Sequence, residues 1–434
     1  MVKVETSGSR PPLSSPTADA DLSDQAIGAL IAQHRPGWSL AQPFYNSPRI
    51  FERDVQKIFL KEWLFVDHAS RIPRPGDYFL FAIAGESLII VRDQDGQIHA
   101  LFNVCRHRGS RVCLQASGSA KALVCPYHAW SYGLDGRLLG AQAMGPDFDR
   151  TQYGLRRGSI RLVEGLIFLC LSEELPNAES SFQTWERYLR PHGLASAKIA
   201  HRILWRIKAN WKLVMENYRE CYHCGPAHPE YTATMAHAAP ESTGSALLAQ
   251  KYDQLLKSWT ERAKALGSMT EHSSEAKDRL YAWKPGERDL PVGCSRIPIK
   301  EGFLTQSPDG QPVAPLMGDY RAYDGGLTSG RLDPVNFFTA SCDHAVLPRF
   351  TPIDAVTTEV EMIWLVRADA VENVDYQLDR LTWLWQVTTD QDSKIVEDNQ
   401  AGVNSRAYVP GPYAEVEGGP RRFTLSYLRR LAGD

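Results

Sequence analysis

Two short stretches place cysteine and histidine close enough to share a metal. In NVCRHRGSRVC, residues 103–113, one residue separates Cys105 from His107, and in VCPYHAW, residues 124–130, two separate Cys125 from His128. Together they read Cys-x-His-x17-Cys-x2-His. A zinc finger usually gathers both cysteines in one knuckle and both histidines in the other, whereas each knuckle here is mixed. A mixed pair from each loop is what a [2Fe-2S] cluster needs when one iron takes two thiolates and the other two imidazoles, which is Rieske ligation. Neutral imidazoles make such a cluster less negative and raise its potential, so it suits passing electrons onward. Arg106, Arg108 and Gly109 fit a tight loop whose amides face the sulfurs, and Cys113, with no histidine mate, reads as core.

A carrier of electrons implies something to reduce, and NWKLVMENYRECYHCGPAHPE, residues 210–230, offers a second metal site. Glu216 and Glu220 stand one helical turn apart and His223 follows three residues later. The pair Gly225-Pro226 then breaks the helix, which lets His228 fold back beside His223. Two histidines and one carboxylate make the facial triad of non-haem Fe(II) oxygenases, with positions open for O2 and substrate. The carboxylate is sought in DYQLDRLTWLWQVTTDQDSKIVEDNQ, whose apolar stripe runs Leu378, Leu381, Trp385, Thr388, Asp392, Val396. Asp392 is a charge on that stripe, a costly place unless a metal or partner compensates it, while Asp390 and Asp398 fall off it. Cys221 and Cys224 leave a competing set open: with His223 and His228 they make a zinc site closed to O2. His344, next to Asp343, is a weaker candidate for substrate contact.

These ligands need a scaffold, and the chain's texture supplies two. From GDYFLF at residue 76 to GLIFLCLSEE ending at 174, short alternating apolar segments are broken by turn dipeptides such as Asp95-Gly96 and Asp135-Gly136, as in a small antiparallel β domain. Helical patterns over 210–222 and 370–400, with strand-like TEVEMIWLVRAD near 358–369, predict a second domain of mixed α and β. YDQLLKSWTERAKAL, residues 252–266, reads as a helix inside a Gly-, Pro- and Ser-richer segment. The predicted division is a flexible tail at 1–25, N-terminal helices with the cluster domain at 26–170, and a catalytic iron domain at 171–434.

At 434 residues and 43% hydrophobic the chain can bury a sizeable core, and a net charge of -3 gives no reason to expect nucleic acid or an anionic membrane as partner. The first twenty-five residues lack the apolar core of a signal peptide and no run approaches a membrane span, so a cytoplasmic protein is expected. Eight cysteines in so long a chain make no disulfide framework, and Cys170, Cys294 and Cys342 read as core.

CRHRGSRVC, VCPYHAWSYGLDGRLL, NWKLVMENYRECYHC, DAVENVDY and NSRAYVPGPY resemble the α subunits of Rieske non-haem iron oxygenases, and the resemblance runs from about residue 37 onward. Within that family it is similar to the branch acting on quaternary ammonium compounds, such as betaines, choline and carnitine. The resemblance implies an α+β chain: an all-β Rieske domain, then a helix-grip (START-like) catalytic domain, assembled as a head-to-tail homotrimer. It implies a [2Fe-2S] cluster on Cys105, His107, Cys125 and His128, and mononuclear Fe(II) on His223, His228 and Asp392. Glu220 takes the place of the acidic residue that bridges the two centres between subunits, and Asn217 lies near the iron. An NAD(P)H-dependent flavin/iron-sulfur reductase is the implied partner, since no GxGxxG fingerprint marks a nucleotide site in this chain.

The implied reaction is O2-dependent N-demethylation or hydroxylation of a betaine-like cation, with Tyr218, Trp205, Phe337 and Phe338 as aromatic faces for it. DPVNFFTASCDHAVLPRF, residues 333–350, departs from the family by being shorter ahead of its Asp-His pair. Two alternatives stand: an oxygenase acting on an aromatic ring or a neutral aromatic amide, and a pure electron-transfer protein with structural zinc.

Overall fold

Hairpins dominate the first half because two-residue turns recur at the right spacing. The computed structural model describes residues 22–270 and 292–433, so the tail predicted at 1–25 lies outside it but for its last residues. There Ser23 caps the first helix by accepting the Ala26 N–H at 3.2 Å. Helices α1 (Asp24–Gln33), α2 (Pro43–Asn46) and α3 (Pro48–Asp54) precede strands β1 (Leu64–His68), β2 (Asp77–Ile83), β3 (Glu86–Arg92) and β4 (Ile98–Phe102). Short strands β5 (Ser117–Ser119), β6 (Leu123–Val124), β7 (Ser131–Tyr132) and β8 (Leu138–Gly140) follow, then β9 (Arg157–Val163) and β10 (Leu166–Cys170). Ala84-Gly85 and Glu164-Gly165 turn with φ of 55° and 81°, and 47° and 85°, the doubly left-handed geometry of tight hairpins. The result is a seven-stranded antiparallel sheet, β1-β10-β9-β4-β3-β2-β5, and a small sheet β6-β7-β8.

After α4 (Glu179–Leu189) and β11 (Ala197–Ile207), a run of helices α5 (Trp211–Asn217), α6 (Cys224–Ala227), α7 (Pro229–Thr234), α8 (Ala238–Thr243) and α9 (Ala246–Ala265) carries the second metal motif. Strands β12 (Val292–Pro298), β13 (Gly326–Leu332), β14 (Asn336–Ala340), β15 (Ala345–Asp354) and β16 (Thr357–Arg367) join β11 in the order β11-β16-β15-β14-β13-β12. Helices α10 (Leu378–Val403) and α11 (Gly418–Ala432) close the chain. Alternation sorts this sheet into two faces: Val346, Val360, Met362 and Trp364 enter a core shared with α5 and α10, while Leu347, Ile363 and Leu365 pack toward α4. A long helix on one face of an antiparallel sheet is the helix-grip arrangement expected, and the chain as a whole is α+β.

The N-terminal helices pack across the predicted boundary. Ile27, Leu40, Phe44 and Tyr45 share a core with Trp211, Phe423 and Leu431, and Trp38 bridges Pro412. The same core takes in Val66, Phe79 and Ile90 of the first sheet, so these helices lie where the two halves meet. The Pro-Gly-Pro-Tyr tail ends in this seam, where the Tyr413 hydroxyl donates to Glu216 at 3.0 Å and Tyr45 to its other oxygen at 2.8 Å.

Burial pushes the Glu216 carboxyl up to about 7 against the pull of both tyrosines. A folded pKa above the unfolded value means stability is intact below the unfolded pKa and is lost as pH rises through about 7. Glu216→Gln is therefore expected to match the parent near pH 4.5 and to be more stable at pH 8 by up to ~3 kcal/mol. Urea midpoints at the two pH values check this, and a difference independent of pH contradicts it.

Candidate functional site

The two knuckles fold alike. The Gly109 N–H donates to the Cys105 carbonyl and the Ala129 N–H to the Cys125 carbonyl, each at 3.0 Å, and both closing residues are left-handed, with φ of 79° and 57°. Each turn buries its cysteine, 3% and 2% exposed, and leaves His107 and His128 in solvent with ring centroids 4.7 Å apart. Trp130 stacks on His107, and Arg108 lies over Tyr127. The Tyr132 hydroxyl accepts the Arg106 N–H at 3.0 Å, which leaves its own proton for Cys105 Sγ at 3.2 Å. Tyr132 was invisible to spacing arguments, because nothing local marks it as a partner of a cysteine twenty-seven residues away. Arg106 reaches the Gly154 carbonyl, and Cys113 is core, as expected.

A single zinc ion needs its four ligand atoms clustered about one point. Among the described residues, the groups whose ligand atoms converge within 4.8 Å are His223, His228 and Asp392, and Cys221, His237 and Glu241; the four knuckle residues form no such group. In the second group Cys221 is spent in a disulfide with Cys224, which also removes the thiolates of the competing zinc set. The other six cysteines, all buried, are free.

The helix carrying the iron motif ends earlier than predicted. Helix α5 stops at Asn217, Glu220 and His223 lie in a turn, and Gly225-Pro226 sit inside the short helix α6 rather than breaking a long one. The cause is Glu220, whose carboxylate accepts the N–H groups of Tyr222 and His223 and caps the turn. Proline is tolerated in the first turn of α6 because its missing N–H has no partner to lose there.

His228 then comes beside His223 with ring centroids 5.0 Å apart, and Asp392 Oδ1 lies 3.0 Å from His228 Nε2 and 3.4 Å from His223 Nε2. Each imidazole is anchored by its far nitrogen, His223 Nδ1 to Glu220 at 2.5 Å and His228 Nδ1 to the Gln391 side-chain oxygen at 2.8 Å. Gln391 donates in turn to Glu230. Protons held at both Nδ1 atoms leave both Nε2 lone pairs aimed at a carboxylate, an arrangement of acceptors that calls for a cation between them. Without a metal a proton takes that role: burial lowers His223, but its hydrogen bonds to Asp392 and Glu220 carry it up to about 9. The donor set thus fits a divalent metal with open positions. Asp390 is exposed and accepts the Trp205 indole N–H at 2.7 Å, and Asp398 is exposed beside Lys394.

A cavity of about 280 Å³ adjoins this set, at the small end of the ~300–1,000 Å³ usual for small-molecule sites. One wall holds the three metal-facing residues with Asn217, Tyr218, Tyr231 and Trp385; the other is the inner sheet face, including Phe337 and Met362. Asn217 Nδ2 lies 3.3 Å from His223 Nε2. Two predicted substrate contacts are corrected. Trp205 is turned away to Asp390, and His344 is buried against Asp343 outside the cavity. Phe338 reaches the wall, but its ring lies on the opposite sheet face, over Gly330 and against Trp185. Tyr231 and Trp385 were missed because an aromatic residue on a helix reads as core until the helix's partner is known.

Residues 62–159 match the Rieske [2Fe-2S] domain, and residues 192–433 match the ring hydroxylating alpha subunit (catalytic domain). The glycine betaine monooxygenase oxygenase subunit of Pseudomonas aeruginosa is 38% identical over 411 residues, covering 94% of this chain and 92% of that protein. The quaternary ammonium Rieske monooxygenase CntA superposes with a TM-score of 0.67 at 23% identity, over 92% of this chain and 97% of that one. Naphthalene 1,2-dioxygenase from Rhodococcus sp. superposes with a TM-score of 0.65 at 19% identity, over 95% and 99%. The fold is therefore common to enzymes named for very different substrates, and the choice among them falls to the cavity.

Proposed function

Because the chain belongs to the α subunits of the Rieske ring-hydroxylating oxygenases and binds a [2Fe-2S] cluster and mononuclear iron, we propose that it oxidises an N-methyl group of a betaine-like quaternary ammonium compound. The observation that carries this reading is the aromatic wall beside the histidine pair: Tyr218, Tyr231, Trp385 and Phe337 line a small cavity. A trimethylammonium group donates no hydrogen bonds, so ring faces are what replaces its water. The likeness to a glycine betaine monooxygenase oxygenase subunit across nearly the whole chain supports it.

In this reading Cys105, His107, Cys125 and His128 hold the cluster, and His223, His228 and Asp392 hold the iron. When bound, these groups supply single electrons and the activation of O2 toward a C–H bond. The protein's part is to fix both imidazoles through Glu220 and Gln391, to face the N-methyl group toward them, and to keep bulk water out with its aromatic wall. Substrate, O2, two electrons and two protons give a hydroxymethyl ammonium and water. The hydroxymethyl group then leaves as formaldehyde with release of a proton, and the demethylated amine remains.

The electrons come from NAD(P)H through a separate flavin/iron-sulfur reductase, in the cytoplasm where that cofactor is available. No described helix is long and apolar enough to cross a membrane. A head-to-tail homotrimer is supported by the cluster tip: His107 and His128 are exposed among Val104, Leu114, Val124 and Tyr127, which are 41–66% exposed, and no tip residue lines the chain's own cavity. Such a tip fits against the Glu220 side of a neighbour.

Screening betaines for formaldehyde release with a surrogate reductase tests the function. Release from at least one quaternary ammonium compound is expected. None from any, with hydroxylation of an aromatic compound instead, overturns it.

A further inference from the structure

One cation in the cavity wall stands without a hydrogen-bonded partner among the described residues. Arg331 lies on β13 with its neighbours two residues apart, Ser329 on the same strand and Phe337 opposite on β14, all facing the cavity. Among the described residues its guanidinium makes no hydrogen bond or ion pair. Asp333, ion-paired to Arg219 at 2.8 Å, and Glu241, also at the cavity, act on Arg331 through their charges without a hydrogen bond to it. Beside it Ser295 Oγ and Ser329 Oγ lie 3.3 Å apart, one hydroxyl in that pair keeping a proton to donate.

A half-buried guanidinium whose N–H groups meet no acceptor is costly, and the cost is recovered when a ligand supplies one. Burial and the charges of Arg219 and Arg422 bring Arg331 down to about 10, so it remains a cation at neutral pH. On the opposite wall stand the histidine pair, Asp392 and the aromatic faces.

We propose that Arg331, with Ser329 beside it, receives the carboxylate of the substrate and so selects a zwitterion over a simple ammonium cation. The assignment rests on the quaternary ammonium reading for the other end of the ligand. It makes Arg331 a specificity-determining residue: carboxylate toward β13, N-methyl groups toward the histidines.

Three probes of one shape separate the two ends: glycine betaine has both, choline has only the cationic head, and 3,3-dimethylbutanoate has only the carboxylate. Their binding to the iron-loaded protein is measured by calorimetry for the parent, Arg331→Gln and Arg331→Lys. Arg331→Gln is expected to weaken glycine betaine and 3,3-dimethylbutanoate by a common factor of roughly 10²-fold and choline by less than about 3-fold, with Arg331→Lys between. Because Arg331 makes no hydrogen bond or ion pair among the described residues, an unchanged thermal midpoint accompanies the loss. Equal weakening of all three probes, undiminished binding of 3,3-dimethylbutanoate, or no carboxylate binding by the parent overturns the anchor. If 3,3-dimethylbutanoate binds as well as glycine betaine yet still depends on Arg331, the anchor stands and the quaternary ammonium reading falls.

Discussion

Asp392→Ala is expected to yield a protein that keeps its cluster signal, loses its mononuclear iron and releases no formaldehyde. Asp392 is 5% exposed and is the only carboxylate whose oxygen meets both His223 Nε2 and His228 Nε2 among the described residues. Two imidazoles alone do not hold Fe(II) against dilution, and the several kcal/mol that a metal gives to O2 chemistry disappear with it, so turnover falls by roughly 10³-fold or more. Among the described residues the cluster loops bond to Asn103, Tyr132 and Gly154 and not to α10, so the Rieske EPR signal is retained. Asp390→Ala is the control: its partner is Trp205 at the surface, and iron content is expected to stay at the parental level. Iron retained by Asp392→Ala, measured by metal analysis, contradicts the assignment.

Glu220→Gln carries the second large effect. The carboxylate holds His223 Nδ1 at 2.5 Å and caps the turn that presents His223. Glutamine keeps the size and one acceptor oxygen but not the charge. Loss of such an outer partner typically costs 10–100-fold in metal affinity or activity, on the order of that range if Glu220 only orients the histidine. If it also faces the neighbouring subunit's cluster tip, electron passage slows further, and a total loss near ~10³-fold is expected with iron content restored by excess Fe(II). The decisive readout is the rate of cluster reoxidation by O2 with substrate present, which a purely orienting role leaves near the parental value once iron is loaded.

How much of this was legible beforehand follows from how local each signal is. The cluster knuckles were legible because each cysteine and its histidine share one turn. Asp392 was legible at long range because a charge on an apolar helical stripe contradicts its surroundings, and the structure buries that stripe at Leu381, Thr388, Asp392 and Val396. The helix end was misjudged because glycine and proline are strong punctuators on average, whereas here a carboxylate cap acted five residues earlier. Phe337 and Phe338 show a plainer limit. Adjacent residues of a strand face opposite sides, so Phe337 turns its ring to the cavity while Phe338 reaches the wall from the other sheet face. Trp205 and His344 failed because an aromatic residue's partner, here Asp390 and Asp343, lies far along the chain or is shared with a loop. Arg331 carried no sequence signal at all, since its significance is the lack of a hydrogen-bonded partner among the described residues, which only three dimensions reveal.

A single turnover without any reductase tests the central claim most directly. Protein loaded with both metals is reduced chemically, freed of reductant and mixed with O2 and glycine betaine, and the cluster's reoxidation is compared with the formaldehyde and demethylated amine formed. The account predicts both products in equal amount, in proportion to the electrons the protein gives up. A cluster that reoxidises while glycine betaine is recovered intact would contradict it.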